Sequence, residues 1–417
     1  MSREMKHSGI EWVKQIPSNW DIIKGRHLLF LRNRPVRPTD DVVTCFRDGE
    51  VILRSERRTE GFTMSDKEIG YQGINKGDIV IHGMDGFAGA MGVSKSTGKG
   101  SPVLIVCNPK ENDSPQYIIY YLRSLAMTNV FLALATGIRE RSCDLRWKKI
   151  AELPFLRPSF IEQQKIANYL DKVCGEVDEM IALQEQMIEE LKAYKQSVIT
   201  EAVTKGLNPD APMRDSGIDW IGEVPEGWKV CKLKNVYQLL NGRAYLDPEL
   251  LEEGKYRILR VGNLFSSDKW YYSDMELEDN KYCQSGDLLY GWSASIGPYI
   301  WEGEKVIYHY HIWKVLFSNN NLHFSYYLLY ALTLAKQRDM HGSAMQHLTK
   351  TNMDNSFIAL PPLSEQQSIA SYLDTKCAEI DALIAIKQAK IEELKDYKKS
   401  VIYEYVTGKK EVGGDLG

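Results

Sequence analysis

Residues 158–204 read PSFIEQQKIANYLDKVCGEVDEMIALQEQMIEELKAYKQSVITEAVT, and residues 361–407 read PPLSEQQSIASYLDTKCAEIDALIAIKQAKIEELKDYKKSVIYEYVT. The two align at a constant offset of 203 without a gap, with 27 of 47 positions identical. An internal repeat fixes architecture before any local reading does. In the first copy Leu170, Cys174, Val177, Ile181, Gln184, Ile188, Leu191, Lys195 and Val198 advance by alternating steps of four and three. The second repeats this with Leu373, Cys377, Ile380, Ile384, Lys387, Ile391, Leu394, Lys398 and Val401. That is the 3.5-residue period of a coiled-coil seam. Only Gly175 interrupts either copy, so each predicts one long helix. About 42 helical residues give a rod of roughly 60 Å. Ser159 with Glu162, and Ser364 with Gln367, have capping-box spacing at the starts. Each helix needs cover for its apolar stripe, and the equivalent helix in the same chain supplies it. The apolar seam positions expected to pair are Leu170, Val177, Ile181, Ile188 and Leu191 with Leu373, Ile380, Ile384, Ile391 and Leu394. The polar seam residues Gln184, Lys195, Lys387 and Lys398 are expected to fix register.

A second repeat precedes each helix. SGIEWVKQIPSNWDIIKGRHL (8–28) and SGIDWIGEVPEGWKVCKLKNV (216–236) share Ser, Gly, Ile, Trp, Pro, Trp and Lys at an offset of 208. Between tag and helix lie variable segments. The first holds strand-like VVTCF (42–46), GDIVIHG (77–83) and SPVLIVCN (101–108), then helix-like 115–134. The second holds strand-like 256–265, 286–295 and 306–317, then helix-like 323–340. The reading is α+β: two mixed domains (1–157 and 208–360) and two long helical segments (158–207 and 361–417), the helices pairing with each other, with a pseudo-twofold internal repeat. Shared frames with unlike loops suggest recognition of two different things.

The chain of 417 residues has a formal net charge of −4, so any nucleic-acid surface must be local. Its seven cysteines lack framework spacing and point to a reducing cytoplasm. No signal region or membrane span is expected. Positive charge gathers in the variable loops. In the first domain the candidates for DNA contact are Arg32, Arg34, Arg54, Arg57, Arg58, Lys95, Lys99, Arg139 and Arg141. In the second they are Asn241, Arg243, Tyr245, Arg260, Asn263, Trp292, Gln346, His347 and Lys350. Arg suits guanine edges, Asn and Gln suit adenine, and Lys suits phosphates. GxxxxGK[ST] is absent, and GFAGAMG (86–92) reads as a turn. His309 and His311 alternate along what reads as one strand, without a third metal ligand nearby. No catalytic or metal-binding residues are assigned.

The tag SGIxWxxxxPxxW, the stretch GDLLYGWSASIGP, and PPLSEQQSIASYLD leading into IEELKDYKKSVI together resemble a type I restriction-modification specificity subunit, over essentially the whole chain. The first domain departs from the commoner pattern at MDGFAGAMG and LRWKKIAELPFLRPS. The resemblance implies that each variable segment is a target recognition domain reading one half of a bipartite site in double-stranded DNA, and that the two long helices pair as an antiparallel coiled coil that serves as the spacer. It implies no catalysis in this chain. Two methyltransferase subunits using S-adenosylmethionine on adenine, and two restriction subunits driven by ATP and Mg2+, are the expected partners. Readers on a helical spacer would take half-sites about one DNA turn apart, roughly 34–36 Å. A fused methyltransferase or nuclease is the competing enzyme reading; the lack of (D/N)PP(Y/F) and Walker motifs counts against it. A scaffold that binds no DNA is the third, and the basic loops count against that.

Overall fold

The computed structural model describes residues 3–57, 69–133, 145–339 and 348–413. Two compact units emerge, Met1–Glu185 with Ala389–Gly417, and Gln186–Gln388. The helices Phe160–Lys205 and Leu363–Val406, 46 and 44 residues long, each contribute to both units.

Within the first unit, the early part of the first helix packs on the late part of the second. Ile166, Ala167, Leu170 and Cys174 share a core with Val401, Ile402, Tyr405 and Val406. In the second unit the roles reverse: Val198, Ile199, Ala202 and Val203 share a core with Ile369, Ala370, Leu373 and Cys377. Early against late in both units is antiparallel pairing. The expected seam follows burial closely: Leu170, Val177, Ile188, Leu373, Ile380, Ile391 and Leu394 are buried. Ile181, Leu191 and Ile384 are half-buried. Two polar seam residues make reciprocal cross-helix pairs, Lys398 to Asp178 and Lys195 to Asp381, each at 2.6 Å and related by the 203 offset. A lysine on the seam whose partner lies on the opposite helix resists axial slippage.

Both domains are built on one frame. A strand following the second tryptophan of the tag pairs with the strand before the long helix: Asp21–Lys24 with Pro154–Arg157, and Lys229–Lys232 with Phe357–Leu360. Next comes a four-stranded antiparallel sheet. Its order is Leu29–Leu31, Leu104–Pro109, Ile79–His82, Met91–Val93 in the first domain. In the second it is Tyr237–Asn241, Ile312–Phe317, Leu288–Gly291, Gly297–Ile300. The tag tryptophans anchor this frame to the helices. Trp20 and Trp228, both buried, donate Nε1 to Glu162 and Glu365 at 3.0 Å. The next residues, Gln163 and Gln366, are also buried and accept from the backbone N–H of Ser114 (2.8 Å) and Asn321 (2.9 Å). The repeated Glu-Gln pair is therefore a clamp between helix and domain.

That clamp corrects the helix starts. Ser159 Oγ accepts weakly from Glu162 N–H at 3.4 Å, but the Glu162 carboxylate bonds Trp20 and Arg3 rather than reaching back. The box on Ser364 does not form, because the second helix already begins at Leu363.

Three segments differ from expectation. Residues 306–317 are two strands in different sheets, Val306–Tyr308 and Ile312–Phe317, so His309 and His311 lie in a turn and not along one strand. Residues 256–265 form a strand, Tyr256–Leu259, followed by a short helix, Val261–Phe265. The helix from Pro115 stops at Met127, where Asn129 takes the left-handed conformation (φ 59°). The glycine-rich stretch from Gly86 is a turn leading into Met91–Val93, as expected. Gly92 is required there, since a Cβ would collide with the carbonyl of Gly49.

Candidate nucleic-acid interface

Equivalent backbone bonds shape one place in both domains. Gly83 N–H donates to Val103 O while Gly83 O accepts from Leu145 N–H; Trp292 N–H donates to His311 O while Trp292 O accepts from Leu348 N–H. At this end of each sheet lies a pocket. The first, about 530 Å³, is bounded by Arg32, Asn33, Gln72, Met84, Arg146 and Trp147 among others. The second, about 280 Å³, is bounded by Arg260, Asn263, Ser267, Lys269, Tyr271, Ser293, Ala294, His309 and His311, with Val261 and Gly262. Neither lining contains an Asp or Glu among the described residues, although the chain carries 56 acids against 52 Lys and Arg.

In the first domain the structure separates basic side chains used by the fold from those at the pocket. Arg34 grips the buried carboxylate of Asp78 with both guanidinium nitrogens. Arg57 pairs with Asp48 at 2.6 Å and Glu50 at 3.3 Å, over the ring of Phe46. Lys95 pairs with Glu50 at 3.0 Å. Arg54 donates to Thr44 Oγ1 at 3.2 Å, and Lys99 lies half-buried on the strand Gly98–Gly100. Arg32 alone of this set lines the pocket, its guanidinium over Phe30 (4.1 Å) and bonded to Asn108 (2.7 Å). Arg58, Arg139 and Arg141 lie outside the described residues, as do Gln346 and His347.

In the second domain Arg243 is bidentate to Glu249 at 2.7 and 3.0 Å and sits over Tyr245, which stacks on His309. Asn263 spends its side chain on the backbone, accepting from Arg260 N–H and donating to Ser267 O and Lys269 O. It shapes the loop. Trp292 donates to Tyr310 O at 2.8 Å and stacks on Trp313. Asn241 is exposed at the end of its strand, its side chain donating to Tyr310 O at 3.5 Å and its carbonyl accepting from Lys281 Nζ at 2.8 Å. Lys350 is exposed at the start of a short helix. Arg260 is exposed, sits 5.3 Å from the Tyr271 ring, and lines the pocket. Burial, His311 and Arg260 together push the His309 imidazole down to about 4, so at neutral pH it is an uncharged donor and acceptor. Ala294 is held at φ 64°, a conformation costing a non-glycine residue about 1–2 kcal/mol. Such strain beside a pocket is characteristic of functional loops. Lys269, Asn33, Gln72 and Met84 were not among the expected contacts. Their signal, proximity to strand ends, needs the sheet order. Among the described residues no group of three or more His, Cys, Asp or Glu is placed to hold a metal ion.

Duplicated frames, each with a pocket at one sheet end that has no acid among the described residues, and two long helices that pair antiparallel define a tandem-repeat class of protein. Comparison with known proteins shows what the chain is similar to. Residues 225–396 match the family described as Type I restriction modification DNA specificity domain. The chain is 25% identical over 418 residues to the type I restriction enzyme MjaVIII specificity subunit of Methanocaldococcus jannaschii, covering 95% of this chain and 94% of that one. The EcoKI specificity subunit of Escherichia coli is 23% identical over 212 residues, 45% of this chain and 44% of that one. Among solved structures, a chain from work on complex assembly and conformational transition of the type I R-M system superposes with a TM-score of 0.73 at 16% identity, covering 94% of this chain and 99% of that one. The HsdS subunit from Thermoanaerobacter tengcongensis gives 0.52 at 16% identity, covering 94% and 98%. The chain is thus similar over nearly its whole length to type I restriction enzyme specificity subunits, and residues 225–396 carry the match to that DNA specificity domain.

Proposed function

We propose that the chain recognises a bipartite double-stranded DNA target, one half with residues 1–157 and the other with residues 208–360, and directs adenine methylation and DNA cleavage by partner subunits. One observation carries the reading: each domain offers, at the equivalent end of its sheet, a cationic pocket with no carboxylate among the described residues, in a chain of net negative charge. Such local positive sites suit a polyanion. The helical segments 158–207 and 361–417 serve as the spacer that sets the interval between half-sites.

The chain itself is non-catalytic on this reading. S-adenosylmethionine belongs to methyltransferase subunits, and ATP and Mg2+ to restriction subunits. The partner adenine must leave the base stack to be methylated, while the recognition chain keeps the duplex in register. Two copies of the methyltransferase subunit fit the repeat. Met180 and Leu183 on the first helix are 46% and 54% exposed, and their equivalents Leu383 and Ile386 are 46% and 61% exposed. Repeated apolar faces on otherwise polar helix surfaces offer like docking points to two like partners. No helix among the described residues is long and apolar enough to cross a membrane, and a cytoplasmic location is proposed with the rest.

The test is co-expression with the methyltransferase subunit and sequencing of methylated adenines in plasmid DNA. The reading expects one bipartite motif that disappears without this chain. Methylation by the partner alone at the same motif would reject it.

A further inference from the structure

We infer that Arg260 reads a guanine in the half-site taken by the second domain, with Lys269 on a neighbouring phosphate. The inference rests on the DNA-reading function proposed above and names the side chain that specifies one base.

Several cations of this domain are committed elsewhere. Arg243 is clamped by Glu249, Arg257 pairs with Glu304 at 3.3 Å, and Arg214 donates to Trp228 O. Lys255 pairs with Glu276, and Lys314 with Asp287. Arg338 lines a separate pocket. Arg260 and Lys269 differ. Both hold their charge against one ring, Tyr271, at 5.3 and 5.0 Å. Among the described residues no carboxylate lines the pocket they share. Two like charges on one ring repel each other, and the ring's weak attraction does not remove that cost. A site built this way is stabilised by an electron-rich ligand.

The loop holds both carriers in place before any ligand arrives. Asn263 Oδ1 accepts from Arg260 N–H at 3.0 Å, and its Nδ2 donates to Lys269 O at 2.9 Å. One side chain thus ties the backbone of both residues, so less freedom is lost on binding. The chemistry then divides the two roles. An arginine fork matches the paired O6 and N7 acceptors of guanine in the major groove, where adenine presents one donor and one acceptor. Lysine is a point charge suited to a phosphate. His309, neutral at physiological pH, adds a donor or acceptor rather than a third charge at the pocket wall.

The test uses the full chain assembled with its partner subunits. The probes are duplexes carrying the methylation-mapped target and each single-base change within it. Competition binding is compared for wild type, R260K, R260A and K269A. Wild type should reject replacement of one guanine in one half-site by roughly 5- to 150-fold. R260A and R260K should both lose that discrimination, because the lysine keeps the charge but not the fork. Discrimination in the other half-site should stay unchanged, which reports an intact assembly. K269A should weaken binding to all duplexes alike and lower the log–log salt slope by about one. Full discrimination retained by R260K, or uniform weakening by R260A with specificity intact, would make Arg260 a phosphate contact and overturn the inference while leaving DNA reading in place. Failure of the wild-type assembly to prefer the mapped target would overturn both.

Discussion

Replacing Gln163 or Gln366 by alanine should unlatch one domain from its helix. Gln163 is 1% exposed and makes three bonds: Ser114 N–H to Oε1 at 2.8 Å, and Nε2 to Pro158 O at 3.0 Å and to Asp113 at 2.7 Å. Truncation strands two backbone groups where solvent does not reach. At ~1–3 kcal/mol for each unsatisfied buried group, those two alone give ~2–6 kcal/mol. Asp113 loses less, because Arg157 still holds it through bonds at 3.0 Å. The expected loss is therefore ~3–5 kcal/mol, a large share of a typical domain's stability. Gln366 repeats the arrangement with Asn321 N–H, Pro361 O and Asn320, so Gln366→Ala should do the same to the second unit. Because a chain of two units need not unfold in one step, the assay is hydrogen exchange resolved by segment. Gln163→Ala should lose protection across the helix Pro115–Met127, and Gln366→Ala across Leu322–Asp339. A change under about 1 kcal/mol in either segment would refute the clamp.

Other outcomes follow from particular residues. Ala294→Gly relieves a left-handed alanine and should raise the thermal midpoint, by up to about 1 kcal/mol of stability; a lowered midpoint contradicts the strain. Lys195→Ala and Lys398→Ala remove partly exposed pairs and should cost under about 1 kcal/mol each, with the loss shrinking in high salt. His309 gives a pH dependence whose sign is set by burial. Its ordinary value is near 6.5 and the folded value about 4, so the unfolded chain takes up the proton first. Stability is fully present above about pH 6.5 and declines as pH falls toward 4. Urea midpoints at pH 7 and pH 5 should differ less in His309→Gln than in wild type, and an equal difference removes His309 as the cause.

The helical seam was legible in the sequence because burial along a helix follows a short, regular period. Leu170 and Leu373, 203 apart, are both fully buried. The candidate site was legible only in part. Arg34, Arg57 and Arg243 have the composition of base readers, yet each meets a carboxylate: Asp78, Asp48 and Glu249. For Arg34 that partner lies 44 positions away, brought close by sheet order alone. The stretch YHYHI reads as one strand because alternation alone does not reveal that a chain leaves one sheet and enters another at His309–His311. The Glu-Gln clamp was visible as repeated letters, but its purpose required the tag tryptophans beside it.

The most direct measurement is a segment exchange. Residues 21–157 are replaced by the corresponding segment of another specificity subunit, and methylated adenines are mapped in cells carrying the partner subunits. The account predicts a new sequence in one half of the target, with the other half and the interval between them retained. A change in both halves would contradict two independent readers on one shared frame.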